Sequence, residues 1–412
     1  MGIPIRVLKF GGTSVGDQDR IQKVARRVQR HVLAGEKVVV VVSAMGRTTD
    51  ALIRRAREVM ARPTRRELDM LLTTGEQQSI AYVALALNAI GIEARSMTGQ
   101  QAGIMTSDYH GSARILRVER EPLQRALAEY DVVVVAGFQG VTLSGALTTL
   151  GRGGSDTTAV AIASALEVAV CEIYTDTDGI YTTDPHLIPD AKKLAGIEYD
   201  DMIELAALGA RVLEPRAVWF ARRYGIVLHV RSAFNFEDGT IVADSATLKE
   251  RNMLTDNPIT GVALDLNHAR VDLHRVPDTP GVAARIFEAL GAANVNVDMI
   301  IQGVKAVSES RQQMAFAIRK SDVQTAVETL TPLLQQDGGH VEVEHDVAKL
   351  SIVGKAISST PGLAAKFFGA VAAAAANIEM ITTSEIRISV MIPAAHAEAA
   401  LRSVHDAFGL AQ

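Results

Sequence analysis

Near the N-terminus Lys9 falls in the apolar run "IRVLKF", and Gly11 and Gly12 follow it ahead of a polar, helix-like segment. Paired glycines at a strand end let the backbone approach a phosphate, and a neighbouring lysine supplies counter-charge. The order excludes a P-loop, whose lysine follows its glycines, and a dinucleotide fingerprint, which needs G-x-G-x-x-G. Taken alone, the stretch is equally a tight strand-to-helix turn. A second glycine-rich turn, in "TLGRGGSDTTAVAIASAL" (149–166), sets Arg152 before Gly153 and Gly154. It leads into an apolar helix, with Ser155 or Asp156 expected as the cap. A capped helix entry accounts for Gly-Ser-Asp but not for an arginine, whose planar fork suits a carboxylate or a phosphate.

Three further stretches carry polar groups. "SAMGRTTD" (43–50) places Ser43 and Thr49 after a buried strand, where small hydroxyls are also common turn formers. "TTGEQQS" (73–79) places Glu76 in or beside a helix, a position that dipole and capping effects alone explain. "EIYTDTDGIYTTDP" (172–185) gathers Asp176, Asp178 and Asp184 around Gly179. It lacks the last glutamate of an EF-hand loop and reads either as an acidic turn or as part of a nucleotide pocket. Together, two glycine-rich loops with a cation each, beside hydroxyl-rich and acidic loops, suit a nucleoside triphosphate and a small anionic acceptor meeting at one edge. Such a phosphoryl transfer asks the protein mainly for positioning and positive charge.

The elements that must hold these loops alternate over the first 240 or so residues. Short β-branched runs ("IRVLKF", "KVVVVVSAM", "VVVVAGFQG", "EVAVCEIYTD", "GIVLHVRSA") read as buried parallel strands. Stretches such as "DRIQKVARRVQRHVLAG" and "ELDMLLTTGEQQSIAYVALALNAIG" read as helices between them. The expectation is an α/β domain over residues 1–243, a mainly parallel sheet sandwiched by helices, with ligands at the carboxyl ends of the strands. Polar residues ending in Pro258 make 244–258 a linker. Beyond it, "TPGVAARIFEALGAANVNVDMI" (279–300) and "TPGLAAKFFGAVAAAAANIEMI" (360–381) align without a gap, about half of their positions identical. Strand-like runs flank each copy, so two small α+β modules are expected, at 259–345 and 346–412, of the size of a ligand-binding regulatory unit.

The bulk numbers agree with several soluble domains: 412 residues, 48% hydrophobic and 22% charged. A net charge of −5 argues against a general nucleic-acid binder. The single cysteine, Cys171 in "EVAVCEIY", allows no internal disulfide, fits a reducing cytoplasm and reads as a small core residue. Export is not expected, since no charged segment precedes an apolar one at the start. The apolar runs fall short of the roughly 20 residues of a membrane span. Ten scattered histidines show no ligand spacing, so no protein-built metal site is expected.

"KFGGTS", "SAMGRTTD", "GEQQS", "TTLGRGGSDTTA" and "YTDTDGIYTTDP" stand in the order and approximate spacing of the aspartate kinases. The chain resembles that family of the amino-acid kinase superfamily nearly end to end, and its repeat resembles the family's paired, ferredoxin-like ACT domains. An acetylglutamate or uridylate kinase would match the first part only. The resemblance implies ATP-dependent phosphorylation of the β-carboxylate of L-aspartate to 4-phospho-L-aspartate, the first step towards lysine, threonine and methionine. It implies that Lys9 neutralises the migrating phosphoryl group and that Asp156 organises the centre and holds Lys9. Arg152 would clamp the aspartate α-carboxylate, with Gly153 and Gly154 beside it. Glu76 would take the ammonium group, and Thr49 and Ser155 would hydrogen-bond the acceptor. Phe10, Gly11, Gly12, Ser43, Thr175, Asp176, Tyr181, Asp184 and Pro185 would line the nucleotide side. Arg211 joins them where many relatives carry lysine, and Glu214-Pro215 replaces a His-Pro pair. Mg²⁺ would be held mainly by ATP oxygens and water.

For control, the resemblance implies feedback by lysine, threonine or both at the repeated modules. Asp278, Gly281, Ala283, Asn296, Asp298 and Gln302 in the first copy, and Thr360, Pro361, Asn377, Ile378 and Glu379 in the second, would meet the effector. An acidic residue at 298 or 379 could pair with its ammonium group. A composite site between modules, usually from two chains, predicts a homodimer or larger. Met253 would suit the start of a separate regulatory subunit, or is an ordinary linker methionine. The contrasting reading is a non-catalytic amino-acid sensor on a degenerate kinase scaffold; it would be expected to have lost Lys9, Arg152 or Asp156, and all three are present.

Overall fold

Central strands made almost wholly of valine have no polar face, so the sheet they form must be covered on both sides. The structure, a computed structural model, describes residues 3–209, 212–255, 257–303, 311–335, 337–355 and 357–411. It divides into two compact units. The first comprises Met1–Tyr181, Lys193–Ala207 and Arg211–Thr255; the second comprises Thr182–Lys192, Leu208–Ala210 and Asp256–Gln412.

The first unit begins with β1 (Ile5–Phe10), α1 (Gln18–Leu33), β2 (Lys37–Val42), α2 (Thr48–Val59) and α3 (Arg65–Ala89). It continues through β3 (Ala94–Met97), β4 (Ile104–Thr106), β5 (Ile115–Val118), α4 (Arg120–Glu129), β6 (Val132–Ala136), β7 (Gln139–Val141) and β8 (Leu147–Thr149). Then come α5 (Gly154–Ala165), β9 (Val170–Thr175), β10 (Gly196–Glu198), α6 (Tyr199–Ala207), α7 (Pro215–Tyr224), β11 (Val227–Ser232), β12 (Thr240–Ala243) and α8 (Ser245–Glu250). Eight strands form the main sheet in the order β10-β12-β11-β9-β1-β2-β6-β3. Neighbours run parallel except β11 and β12. A small sheet, β5-β4-β7-β8, lies beside it.

Alternation along the strands decides which residues reach the site. Leu8, Phe10, Val38, Val40, Val42, Val132 and Val134 pack in one core with Ile21, Val24 and Val28 of α1 and Ile80, Val83 and Leu87 of α3. Residues 7 and 9 of β1 point to the opposite face, where α5 lies. The stretch 244–258, expected as a linker, instead holds α8. Asp244 caps it by accepting the Thr247 N–H at 2.7 Å, and Leu248 buries against Ile241 and Ala243. Cys171 is buried and free, with burial pushing its thiol pKa up.

The second unit carries β13 (Ile259–Asp265), then β14 (His268–Pro277), α9 (Val282–Ala292), β15 (Val297–Gln302), β16 (Arg311–Arg319), α10 (Val323–Gln335) and β17 (His340–Glu344). It ends with β18 (Val347–Gly354), α11 (Leu363–Ala373), β19 (Met380–Thr383), β20 (Arg387–Pro393) and α12 (Ala397–Ala407). Two four-stranded antiparallel sheets result, β15-β16-β14-β17 and β13-β18-β20-β19. Residues 259–265, read as the start of the first copy, therefore pair with β18 in the sheet of the second. The segment Thr182–Lys192 also packs in this unit. The Thr182 hydroxyl lies 3.0 Å from His405 Nε2 and 3.0 Å from the Leu410 carbonyl, and Ala191 bridges Ala411. Among the described residues no helix is long and apolar enough to cross a membrane.

Candidate active site

The carboxyl ends of β1, β2 and β8 and the start of α5 converge on a cavity of about 670 Å³, lined by Lys9, Gly12, Ser43, Thr49, Glu76 and Arg152–Asp156. Every expected acceptor residue lies on it: Thr49, Glu76, Arg152, Gly153, Gly154 and Ser155. So do Lys9 and Asp156, whose Nζ and Oδ1 pair at 2.5 Å. Both are nearly buried, at 9% and 6% exposure, so each charge depends on the other. β1 aims Lys9 at α5, and Asp156 stands in the first turn of α5, where the dipole favours a carboxylate.

Neither Ser155 nor Asp156 caps α5. The cap residue is Gly153, in the left-handed region at φ 64°, without a side-chain cap bond. A Cβ on Gly153 would lie 2.2 Å from Glu214 Cβ, so only glycine fits this turn. The turn thereby leaves Asp156 to Lys9. Arg152 is exposed at the cavity and makes no ion pair among the described residues. The loops after β1 and β2 lock together: Gly46 N–H donates to the Gly12 carbonyl, and a Cβ on Gly12 would stand 2.6 Å from the Ala44 carbonyl oxygen.

Glu76 is neither exposed nor at a helix start. It lies in the interior of α3 at 3% exposure. Its Oε1 accepts the Ala44 N–H at 3.0 Å, while Oε2 is buried without a hydrogen-bond partner. Desolvation by burial dominates and pushes its pKa up to about 7. A buried, half-satisfied carboxylate on a cavity wall is a seat for a cation.

The nucleotide-side residues divide. Gly12 and Ser43 line the cavity, and Gly11 N–H donates to the Tyr174 carbonyl beside Lys9. The Phe10 side chain does not reach it: fully buried, it stacks on Tyr174 with ring centroids 4.6 Å apart, so Phe10 offers only backbone. Adjacent residues of a strand face opposite ways, and Lys9 already takes the cavity side. Thr175, the last residue of β9, donates to Asp176 Oδ1 at 3.0 Å, and β9 lies next to β1 in the sheet. Tyr181 donates to Asp178, which Lys193 also holds at 3.2 Å. Asp184 and Pro185 belong to the second unit, where Asp184 accepts the His186 N–H. Arg211 lies outside the described residues.

Sequence reading missed Asp69. At 1% exposure on α3, it lines the same cavity and accepts from Thr149 Oγ1 at 2.6 Å and Gly111 N–H at 3.0 Å, and pairs with His110 Nδ1 at 2.8 Å. The available signal was its spacing of seven residues from Glu76, which puts both carboxylates on one helix face.

The expected effector residues fall in two places. Asp278, Gly281 and Ala283 belong to the turn and first residues of α9, beside a cavity of about 360 Å³ lined by Pro277, Thr279–Val282, Arg285 and Asp337; Thr360 and Pro361 precede α11 in the same way. Asn296 and Asn377 are exposed, Ile378 is half-buried, and Gln302 donates to Gln312 at 2.7 Å. Asp298 and Glu379 are already paired across the two modules: Asp298 with the buried Lys349 and, at 3.8 Å, with Arg387; Glu379 with Arg270 at 2.5 Å. Burial would raise the Asp298 carboxyl, but Lys349 and Arg387 outweigh it and hold it below the usual range. Met299, Ala317, Val347, Met380 and Met391 pack beside these pairs.

Comparison with known proteins agrees with this layout. Residues 4–232 match the model of the amino acid kinase family, and 274–332 and 350–408 each match an ACT domain. An aspartokinase of Thermus thermophilus is 56% identical over 404 residues, 98% of each chain. A crystal structure of aspartate kinase from Synechocystis superposes with a TM-score of 0.80 at 34% identity, over 99% of this chain and 98% of that one. E. coli aspartokinase III matches at 25% identity and TM-score 0.78 in complex with aspartate and ADP (R-state), covering 98% of this chain and 99% of that one. Its complex with lysine and aspartate (T-state) matches at 26% and 0.73, with the same coverage. By the match of more than half its length to the amino acid kinase family and by its full-length likeness to these enzymes, the chain belongs to the aspartokinases, kinases with tandem ACT domains.

Proposed function

We propose that the enzyme transfers the γ-phosphoryl group of ATP to the β-carboxylate of L-aspartate, giving 4-phospho-L-aspartate and ADP, as the first step towards lysine, threonine and methionine. The observation that carries this is the pairing, on one cavity, of a buried carboxylate at Glu76, whose Oε2 has no hydrogen-bond partner, with an exposed guanidinium at Arg152 that makes no ion pair among the described residues. An α-amino acid presents the complementary charges. The E. coli enzyme that this chain resembles was solved with aspartate and ADP, which supports the same pair of ligands.

In this reading Glu76 binds the ammonium group and Arg152 clamps the α-carboxylate, with Gly153 and Gly154 allowing close approach. Thr49 and Ser155 hydrogen-bond the acceptor. The β-carboxylate is ionised at neutral pH, so its oxygen attacks the γ-phosphorus without a general base while the bond to ADP breaks. Lys9 sits where negative charge gathers on the migrating group, and Asp156 keeps its Nζ aimed there. Gly11, Gly12, Ser43 and the Phe10 backbone take the phosphates; Thr175, Asp176, Tyr181 and Arg211 take the rest of the nucleotide. Mg²⁺ would neutralise the β- and γ-phosphates. Among the described residues no group of three His, Cys, Asp or Glu could hold a metal, and the carboxylates of Asp69 and Asp156 are engaged. That donor set fits an ion carried by nucleotide oxygens and water.

Lysine, threonine or both act as feedback inhibitors at the ACT modules; the E. coli complex with lysine supports an effector of this class. Ile300 and Ile381, equivalent positions of the repeat, stay 54% and 44% exposed on β15 and β19, and they suit a homo-oligomer joined through these modules. The test is aspartate-dependent ADP release, with and without each effector. No turnover with aspartate at any ATP or Mg²⁺ concentration would refute the reading, as would faster turnover with another acidic acceptor.

A further inference from the structure

We propose that Asp69 is a positioning residue for the acceptor: by tying the Arg152 turn to α3, it sets how Arg152 stands relative to Glu76, and so governs aspartate affinity. The inference rests on the assignment of those two residues to aspartate. Asp69 and Glu76 are separated by two turns of one helix, about 10 Å along its axis. Each fastens a different wall of the cavity. Glu76 accepts the Ala44 N–H of the loop after β2. Asp69 accepts Thr149 Oγ1 at the end of β8, three residues before Arg152, and the Gly111 N–H of the loop between β4 and β5.

That loop abuts the Arg152 turn, for a Cβ on Gly151 would lie 3.3 Å from the Gly111 carbonyl oxygen. Gly151 itself has φ 78°, so the turn has no slack for a side chain. His110 completes the ring of donors around Asp69, and Arg65, one turn earlier on α3, donates to Tyr109 of the same loop at 3.1 Å. A carboxylate at 1% exposure in a helix, held among the described residues by donors from the loop between β4 and β5 and from the end of β8, fixes those segments wherever the helix holds it. α3 thus acts as a ruler between the two groups that grip the amino acid.

Steady-state kinetics of the full-length enzyme test this with Asp69→Asn, His110→Ala and the double variant, beside Glu76→Gln and Arg152→Ala. Asp69→Asn keeps an oxygen for Thr149 and Gly111 but turns an NH₂ towards the other donors. The expected result is a rise of about tenfold or more in KM for aspartate, the scale of a lost charge-assisted hydrogen bond, with kcat and KM for ATP within about threefold. His110→Ala, on a half-buried ring, shifts KM for aspartate the same way by about threefold, and the double variant adds less than the two effects together. Asp69→Glu, which keeps the charge, restores part of the affinity lost in Asp69→Asn. An unchanged KM for aspartate in His110→Ala and Asp69→Asn would overturn the proposal. So would KM values for aspartate and ATP rising together in step with a falling unfolding midpoint, the mark of a merely structural residue. If Asp69→Asn does not fold, His110→Ala decides alone. If Glu76→Gln and Arg152→Ala also leave KM for aspartate unchanged, the acceptor assignment itself fails; if they raise it while Asp69→Asn does not, only the ruler fails.

Discussion

Replacing Glu76 by glutamine probes the charge that the cavity holds in reserve. Burial pushes the Glu76 carboxyl from 4.5 to about 7, whereas in the unfolded chain it titrates near its ordinary value. Below pH 4.5 both states are protonated and nothing is lost. As pH rises through 4.5 the unfolded chain sheds a proton that the folded chain keeps, so stability falls until the folded group ionises near 7. The gap between the two values corresponds to about 3 kcal/mol, reached above pH 7. Glutamine keeps an oxygen for the Ala44 N–H and cannot ionise. The stability difference between Glu76→Gln and wild type should therefore swing by about 3 kcal/mol in the variant's favour between pH 4.5 and pH 8. Urea unfolding of the unliganded enzyme at several pH values reads this directly. Aspartate binding should run the other way. The ammonium group stabilises ionised Glu76, so wild-type KM for aspartate should rise as pH drops below 7, by up to tenfold per unit, and binding at pH 6.5 should release a proton. In Glu76→Gln, affinity is weak and level across this range. Parallel stability curves for the two proteins from pH 5 to 8 would refute the argument that desolvation governs this carboxylate.

Other expectations follow from the same geometry. Lys9→Ala should lower kcat by about a hundredfold or more, with KM for aspartate little changed, while Arg152→Ala should chiefly raise that KM; steady-state assays reading the opposite pattern would reverse the two roles. Gly153→Ala meets both a positive φ and the Glu214 side chain, and should cost about 1–3 kcal/mol in chemical denaturation while raising KM for aspartate. Lys349→Met removes the buried partner of Asp298. It should cost about 2 kcal/mol at pH 7, less than for a fully buried pair because Arg387 remains. Since the folded Asp298 pKa is depressed, the stability it contributes is present above its unfolded value near 4 and lost as pH falls through the folded one. The wild-type advantage should therefore close below pH 4, as followed by thermal unfolding.

Much of the site was legible because phosphoryl transfer relies on local motifs. Lys9 and the Arg152–Asp156 turn stand out within a few residues, Thr49 and Glu76 gain meaning only beside them, and strand–helix alternation places them on one edge. Phe10 was legible in the opposite sense: period-two alternation already forbids it from facing the same way as Lys9. The burial of Glu76 was not, because a glutamate among polar neighbours looks the same whether its helix face meets water or a cavity. Asp69 stayed hidden for a related reason, since its partners lie 41, 42 and 80 residues away. The effector acids show the limit most clearly. Asp298 and Glu379 were readable as lone anions, while the cations that engage them, Lys349 and Arg270, stand on the other module's strand. The equivalence of those two cations at the start of "AKLSIVG" and "ARVDLHRV" makes the exchange reciprocal, a pattern that emerges only once both copies are folded together.

The pairing of β13 with β18 makes the first ACT module an insertion within the second: the chain enters one sheet, leaves to build the whole of the other, and returns. No single cut can therefore divide this region into two finished halves. A fragment begun at residue 266 would leave Val347–Gly354 as a bare edge, eight buried residues with unpaired backbone open to strand addition from a neighbour. A fragment begun at Met253 would keep the covering strand. Loss, transplantation or independent manufacture of the regulatory half thus has to respect a boundary upstream of Ile259, because that strand completes the sheet of the second module.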